Sequence, residues 1–87
     1  MVKLYLGCGN KRKQGYINCD ISKAVKPDVV VDICNLSEKF KQNSIDEIFT
    51  EHTIEHVKDF EKAMSEIHRA LKKDGRAYIV VPYATIP

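Results

Sequence analysis

The feature of this sequence that most restricts its fold is a series of short apolar runs, each ending at a glycine or at polar residues. Runs of this length that are rich in β-branched and aromatic residues predict β-strands. The run Val29-Val30-Val31 contains no polar residue, which is typical of a strand buried on both faces of a parallel sheet. The five predicted strands cover residues 2–6, 16–19, 29–31, 45–49 and 76–81.

One amphipathic helix is predicted between the fourth and fifth runs. Asp59 is placed to cap its N-terminus. Lys72 and Lys73 lie at its negative end, before a predicted turn at Asp74-Gly75. The residues at helical spacing on its apolar face are Phe60, Ala63, Met64, Ile67 and Leu71.

These elements predict an α/β fold with a Rossmann-like, mostly parallel sheet of about five strands. A shorter helix is expected at residues 53–57, and residues 35–44 form a loop or one helical turn. With 87 residues, 44% of them hydrophobic and 30% charged, the chain fits one domain, residues 1–87, and not a disordered segment.

Charge and cysteine content narrow the possible partners and the compartment. The net charge is only +2, and the densest basic segment, Lys11-Arg12-Lys13, is too short for a nucleic-acid-binding tract. Neither a membrane-spanning segment nor a signal peptide is expected, since no apolar run is long enough and a glycine turn follows Met1 within a few residues. Three cysteines without a C-x-x-C pair favour a reducing, cytoplasmic location.

The residues that end the predicted strands indicate where a ligand binds. Open parallel sheets bind ligands at the carboxyl ends of their strands. Gly7-Cys8-Gly9 permits close approach of a ligand to the backbone, and Asp20 is placed to accept hydrogen bonds from a ribose diol. Asp32 is placed to cap a turn or to face an adenine. Together they predict a nucleotide-like ligand.

Several blocks, in order along residues 3–82, resemble those of class I S-adenosylmethionine-dependent methyltransferases, and most closely the type 11 group. The blocks are LYLGCGN (4–10), Asp20, Asp32-Ile33, NSIDEI (43–48), HTIEH (52–56) and LKKDGR (71–76). The resemblance implies S-adenosylmethionine as cofactor and a methyltransferase activity whose acceptor is an unidentified small molecule.

The resemblance also implies a role for each matching residue. Gly7, Cys8, Gly9 and Asn10 would line the methionine end of the cofactor. Asp20 would hold the ribose hydroxyls with Ile21 packing on the adenine, whose edge Asp32 and Ile33 would face. Glu51 and His52 would close over the sulfonium side.

Two departures from the family pattern affect these expectations. Only residues 10–15 separate the first two predicted strands, where the family has a long helix, so Lys11, Arg12 or Lys13 is expected to meet the cofactor carboxylate in place of a helix N-terminus. The sequence also lacks the last two strands of the usual methyltransferase fold. Either the sequence is a fragment, or the open edge of the fifth strand, at residues 77–81, is covered by another chain. Because an open apolar edge favours pairing, we expect self-association there, as a homodimer.

The sequence leaves open which residue acts as a base, whether a zinc ion binds, and whether the chain is an enzyme. Glu51, His52 and His56 are candidates for a general base. The segment His52-Thr53-Ile54-Glu55-His56 also reads as H-x-x-E-H, a zinc-binding pattern if helical, and Cys8, Cys19 and Cys34 are a second, less favoured set of zinc ligands. The competing function is a non-catalytic cofactor-binding or oligomerisation module.

Overall fold

The computed structural model describes residues 1–81, in which five parallel strands form one sheet in the order β3-β2-β1-β4-β5. Each pair of neighbouring strands runs parallel, which confirms the Rossmann-like α/β prediction. Residues 82–87, the end of the predicted domain, lie outside the described residues. The strands are β1 (Lys3–Leu6), β2 (Ile17–Asp20), β3 (Val29–Val30), β4 (Ile45–Glu51) and β5 (Leu71–Val80).

The connection from β1 to β2 returns the chain in parallel without a helix. Leu4 pairs with Ile17, and residues 7–16 between the two strands contain no helical element. The amide of Cys8 donates to the carbonyl of Cys19 over 2.9 Å, so pairing continues into the turn. Ten residues therefore suffice where a parallel return usually needs a dozen or more.

Helix α1 (Phe60–Ala70) connects β4 to β5 and begins as predicted. The Asp59 carboxylate caps it by accepting from the Lys62 amide over 3.0 Å. Ala63, Ile67 and Ala70 are buried, whereas Phe60, at the start of the same apolar face, is 57% exposed.

The helix also ends earlier than the sequence predicts. Leu71 is the first residue of β5 and pairs with Ile45, and the next pairing of β5 joins Arg76 to Glu47. The predicted turn at residues 74–75 is therefore an irregularity within β5. The predicted helical positions 71–73 are wrong because Leu71 already pairs with a neighbouring strand.

Short 3-10 helices take the place of α-helices in the other connections. They cover Lys23–Val25, Ile33–Glu38 and Ile54–His56. The third replaces the short helix expected at residues 53–57, and the second includes the turn expected within residues 35–44. None of the helices among residues 1–81 is both long and apolar enough to cross a bilayer.

The core lies on one face of the sheet, where Leu4, Leu6 and Ile48 pack with Leu36 and Ile67. Burial of these side chains supplies the main stabilising free energy of so small a domain.

Tyr5 and Phe49 alternate to the opposite face, with ring centroids 5.6 Å apart. The Nζ of Lys13 lies 4.4 Å from the Phe49 ring centroid, so a lysine side chain covers part of this face.

Strand β3 is parallel to β2, but it lies at the edge of the sheet. Val30 is 37% exposed, whereas Val31, just beyond the strand, is buried. The prediction that this run is buried on both faces is therefore wrong. Val31 packs in the core near the turn that follows, and Val29 is partly buried against the same core.

Candidate functional site

The carboxyl ends of the strands surround two adjoining cavities of about 670 and 290 Å³. Gly7 and Thr53 line both cavities and therefore mark their junction. These volumes are in the range of small-molecule binding sites. Of the residues predicted from sequence, the larger cavity is lined by Gly7, Asp20, Ile21, Asp32, Ile33 and His56, and the smaller by Gly7, Cys8, Gly9, Asn10, Glu51 and His52.

The glycine turn after β1 has left-handed backbone at two positions that line the smaller cavity. The φ angle is +70° at Gly7 and +56° at Gly9, a region that other residues enter at a cost. A Cβ on Gly9 would meet no atom within 4 Å, so the backbone there is open to a ligand. A Cβ on Gly7 would lie 2.3 Å from the Thr53 Oγ1, so Gly7 is required by packing within the chain.

Asp20 ends β2 and joins the glycine turn to the chain that follows it. Its Oδ2 accepts from the Gly9 amide over 2.8 Å, and its Oδ1 accepts from the Ser22 amide over 2.9 Å. An ionised carboxylate accepts up to about four hydrogen bonds. Asp20 can therefore hold the turn and still accept from two hydroxyl groups of a ligand in the larger cavity.

Asp32 and two isoleucines, Ile21 and Ile33, also line the larger cavity. Asp32 caps the 3-10 helix Ile33–Glu38, with Oδ1 accepting from the Cys34 amide over 2.8 Å. Ile21 is 66% exposed and offers an open apolar surface to a flat ring, whereas Ile33 is only 7% exposed.

Glu51 ends β4 beside the smaller cavity, where Tyr5 holds it. The buried Tyr5 hydroxyl donates to the Glu51 Oε1 over 3.0 Å, and the Lys11 Nζ lies 3.7 Å from the same oxygen. The hydrogen bond from Tyr5 and the charge of Lys11 lower the pKa of Glu51. Burial, together with the same hydrogen bond, raises the pKa of Tyr5 to about 12. Glu51 is thus an anion and Tyr5 a neutral donor near neutral pH.

The two candidate histidines lie on different cavities. His52 has a left-handed φ of +55° and its amide donates to the Val80 carbonyl over 2.7 Å, so it continues the sheet and is not helical. The 3-10 helix begins only at Ile54. His52 and His56 are consequently not one helical turn apart, and the helical geometry expected for the zinc pattern is wrong.

Potential metal ligands do not cluster within residues 1–81, where no group of three or more histidine, cysteine or acidic side chains is placed to share an ion. Cys8 and Cys19 are buried and free, and Cys34 is free and half-buried. Burial raises the pKa of the Cys8 thiol and raises that of Cys19 to about 12. Cys8 therefore lines the smaller cavity without a reactive thiolate.

The three basic residues of the first connection have different surroundings. Arg12 donates to the carbonyls of Gly9 and Lys26 over 2.9 and 2.8 Å, and also to those of Lys11 and Val25. Lys13 lies against Phe49 on the sheet face. Of these three residues, Lys11 alone lines one of the two cavities described above, the smaller one. Its position therefore suits the predicted contact with the cofactor carboxylate better than those of Arg12 and Lys13.

Sequence reasoning missed Thr53 and Tyr5 as site residues. Thr53 stands at the junction of the two cavities, and its Oγ1 donates to the Glu51 carbonyl over 3.1 Å. In the sequence, Tyr5 looks like an ordinary buried residue of β1, and Glu51, which accepts its hydrogen bond, is 46 positions away. The one signal for Tyr5 is a polar hydroxyl in an apolar strand, since buried tyrosines usually have a hydrogen-bond partner.

A parallel sheet with a glycine turn after β1 and acidic residues at the ends of the next strands defines a nucleotide-binding α/β domain. The chain belongs to a family of methyltransferase domains, type 11, whose model matches residues 4–79. No curated protein matches the sequence.

Two solved structures are similar to this fold. One, assigned as an S-adenosyl-L-methionine-dependent methyltransferase from Methanococcus maripaludis, superposes with a TM-score of 0.78 over 92% of this chain at 20% identity. The other, the trans-methyltransferase CalH in complex with SAH, has a TM-score of 0.74 over 91% of this chain at 14% identity. This chain spans 47% of the first protein and 31% of the second.

The family and these structures point to S-adenosylmethionine as the cofactor, and the residues present fit such a molecule. The larger cavity offers a carboxylate, Asp20, and an exposed apolar side chain, Ile21, which suit a ribose and an adenine ring. The smaller cavity offers open backbone at Gly9 and one charge of each sign, at Lys11 and Glu51, which suit an amino-acid group.

Proposed function

We propose that this chain binds S-adenosylmethionine across the two adjoining cavities and transfers its methyl group to a small-molecule acceptor. The observation that carries the proposal is that all the candidate residues at the ends of β1, β2 and β4 line cavities that share Gly7 and Thr53. One elongated ligand can therefore contact both groups of residues.

In this proposal the larger cavity holds the adenosine. Asp20 accepts from the ribose hydroxyls, Ile21 packs on the adenine, and Asp32 and Ile33 face its edge. The smaller cavity holds the methionine end against Gly7, Cys8, Gly9 and Asn10. This arrangement places the sulfur near the shared wall of Gly7 and Thr53.

When bound, the cofactor supplies a methyl group attached to a positively charged sulfur. The chain's contribution is to orient the acceptor and, where the acceptor is a hydroxyl or an amine, to take its proton. His52 is the proposed base, because its imidazole is exposed beside the smaller cavity, within reach of an acceptor that approaches the cofactor. The lowered pKa of Glu51 makes it a weaker base, and His56 lies on the adenosine side.

Calorimetric titration with S-adenosylmethionine and S-adenosylhomocysteine tests binding directly. We expect Asp20→Asn to weaken binding about tenfold or more, the size of a lost charge-assisted hydrogen bond. Asp74→Asn, an exposed position at the start of β5, is the matched control and should bind like the wild type. Thermal unfolding of both variants separates lost binding from the role of Asp20 in holding the glycine turn.

Transfer is tested by incubating the chain with methyl-labelled cofactor and the small-molecule fraction of a cell extract. Labelled product that decreases at least tenfold in His52→Ala, with cofactor affinity unchanged, supports the enzyme. Binding without any transfer supports the alternative, a non-catalytic cofactor-binding module. If neither cofactor nor product binds, both proposals fail.

Two further properties belong to this proposal. Among residues 1–81, β5 pairs with a strand on one side only, and self-association through its other side would cover Tyr78 and Val80, which are 44% and 38% exposed. A reducing, cytoplasmic location suits three free cysteines, of which two are buried.

A further inference from the structure

We infer that Lys11 and Glu51 form a clamp that recognises the zwitterionic α-amino-acid end of the cofactor, Lys11 binding the carboxylate and Glu51 the ammonium group. The inference rests on the proposed function, and it names the residues that distinguish the complete cofactor from an adenosine fragment.

The two side chains are placed side by side on the smaller cavity. The Lys11 Nζ lies 3.7 Å from the Glu51 Oε1, and both residues line the cavity together with the open backbone of Gly9. An α-amino acid carries its carboxylate and its ammonium group on one carbon atom, so these charges also lie side by side. Entry of the zwitterion exchanges one ion pair for two of the same kind.

Lys11 is the only one of the three neighbouring basic residues that is available for this role within the described chain. Arg12 is engaged with the carbonyls of Gly9 and Lys26, and Lys13 covers the Phe49 ring. The Lys11 side chain is 72% exposed and can follow a ligand into the cavity. Because no helix starts after β1, a side chain here supplies the positive charge that a helix N-terminus provides elsewhere.

Glu51 is prepared for the ammonium group by Tyr5, which acts as a positioning residue. Tyr5 is 4% exposed, and its hydroxyl donates to the Oε1 of Glu51 over 3.0 Å. This hydrogen bond fixes the carboxylate at the end of β4, and it lowers the pKa of Glu51 so that the group stays charged. Because the Glu51 side chain is held in this way, its second oxygen, Oε2, has a defined position in which to accept a hydrogen bond from the ammonium group.

Three probes separate the parts of the ligand in calorimetric titrations. S-adenosylhomocysteine carries the whole amino-acid end, decarboxylated S-adenosylmethionine lacks the carboxylate, and 5′-methylthioadenosine lacks the entire amino-acid end. We expect Lys11→Ala to weaken binding of S-adenosylhomocysteine about tenfold, as for one lost charge-assisted hydrogen bond, and to leave the other two within about twofold. Lys11→Arg should restore most of the affinity.

The matched control for Lys11→Ala is Lys73→Ala, which removes the same charge from an exposed position on β5. It should change none of the three affinities. Tyr5→Phe tests the positioning role, because it removes only the hydroxyl. We expect this variant to lose affinity for both ligands that carry the ammonium group, and its loss of affinity in acid to begin at a higher pH as the pKa of Glu51 rises.

The outcomes separate this inference from the proposed function. If wild-type protein binds S-adenosylhomocysteine but Lys11→Ala weakens it no more than it weakens 5′-methylthioadenosine, the clamp is wrong and the Lys11–Glu51 pair is an ordinary surface ion pair. An unchanged pH dependence in Tyr5→Phe would remove the positioning role. If the wild type binds none of the three probes, the proposed function itself fails.

Discussion

Replacing Gly7 by alanine should destabilise the chain far more than the same change at Gly9. Both positions have left-handed backbone, with φ of +70° and +56°, so both variants strain the backbone. They differ in their surroundings. An added Cβ at Gly9 has no atom within 4 Å, but at Gly7 it would lie 2.3, 2.7 and 2.9 Å from the Oγ1, Cγ2 and Cβ of Thr53.

The magnitude follows from these contacts. An alanine with left-handed backbone costs about 1–2 kcal/mol, which is the whole expected effect at Gly9. At Gly7 the Thr53 side chain must also move, and forcing an extra methyl into a filled site costs about 1–3 kcal/mol. That movement breaks the 3.1 Å hydrogen bond from the Thr53 Oγ1 to the Glu51 carbonyl, worth about 1 kcal/mol. We therefore expect a loss of about 3–6 kcal/mol for Gly7→Ala.

Urea unfolding of the two variants measures this difference, and a double-mutant cycle assigns it to Thr53. Thr53→Ala removes the two nearest atoms and, with them, the hydrogen bond to Glu51, so Gly7→Ala should cost up to about 2–4 kcal/mol less in that background. Equal losses for Gly7→Ala and Gly9→Ala would refute the reasoning, because they would show that the backbone angle alone requires glycine. So would a cycle in which the two substitutions are additive.

Three further predictions concern other parts of the chain. Arg12→Ala should lower the free energy of unfolding by about 1–3 kcal/mol, because several carbonyls lose a charged donor, and urea titration checks this. Burial raises the pKa of Glu66, but the hydrogen bonds from Ser37 and Lys62 together outweigh burial and lower this pKa. The stabilising contribution of Glu66 is therefore complete above the ordinary pKa of 4.5 and is lost as the pH falls below it. Glu66→Gln should flatten this acid limb in unfolding curves. Self-association measured by sedimentation should be abolished by Tyr78→Glu but not by Phe60→Glu, an equally apolar exposed position on α1, and a monomeric wild type would contradict it.

The strands were predictable because their sequence signal is local. Alternating or β-branched runs located all five, and the helix between β4 and β5 predicts that these two strands are parallel. The end of the helix was not predictable in this way. Leu71 continues the apolar spacing of the helix, but it pairs with Ile45 of β4, a contact that no local pattern contains.

The acidic and glycine residues of the site were predictable for a topological reason. In a parallel sheet the carboxyl ends of all strands lie at the same end of the sheet, so Asp20 and Glu51 are expected near the glycine turn. The backbone at His52 could not be predicted, because the spacing of its segment suits a helix equally well. Its left-handed φ accompanies the hydrogen bond from its amide to Val80, which belongs to the neighbouring strand.

Because the connection between β1 and β2 contains no helix, its backbone groups need polar side chains nearby as hydrogen-bond partners. A helix would satisfy its own backbone groups, but an irregular return needs other partners for them. The Arg12 guanidinium donates to the carbonyl of Gly9, before β2, and to that of Lys26, after it. The Asn18 side chain accepts from the backbone amide of Lys13 over 2.8 Å, and the Asp28 carboxylate accepts from the backbone amide of Asn18 over 2.8 Å.

Asp20 belongs to the same group, since its two oxygens accept from the amides of Gly9 and Ser22. The carboxylate best placed for a ribose therefore also holds the glycine turn against which the ligand would lie. Removing it weakens the ligand contact and the cavity wall together. Loss of binding in an Asp20 variant is evidence for a ribose contact only when the unfolding free energy has been measured beside it. The Lys11 side chain, in contrast, is 72% exposed and pairs with Glu51, so its replacement is expected to leave the glycine turn in place and to report on ligand binding.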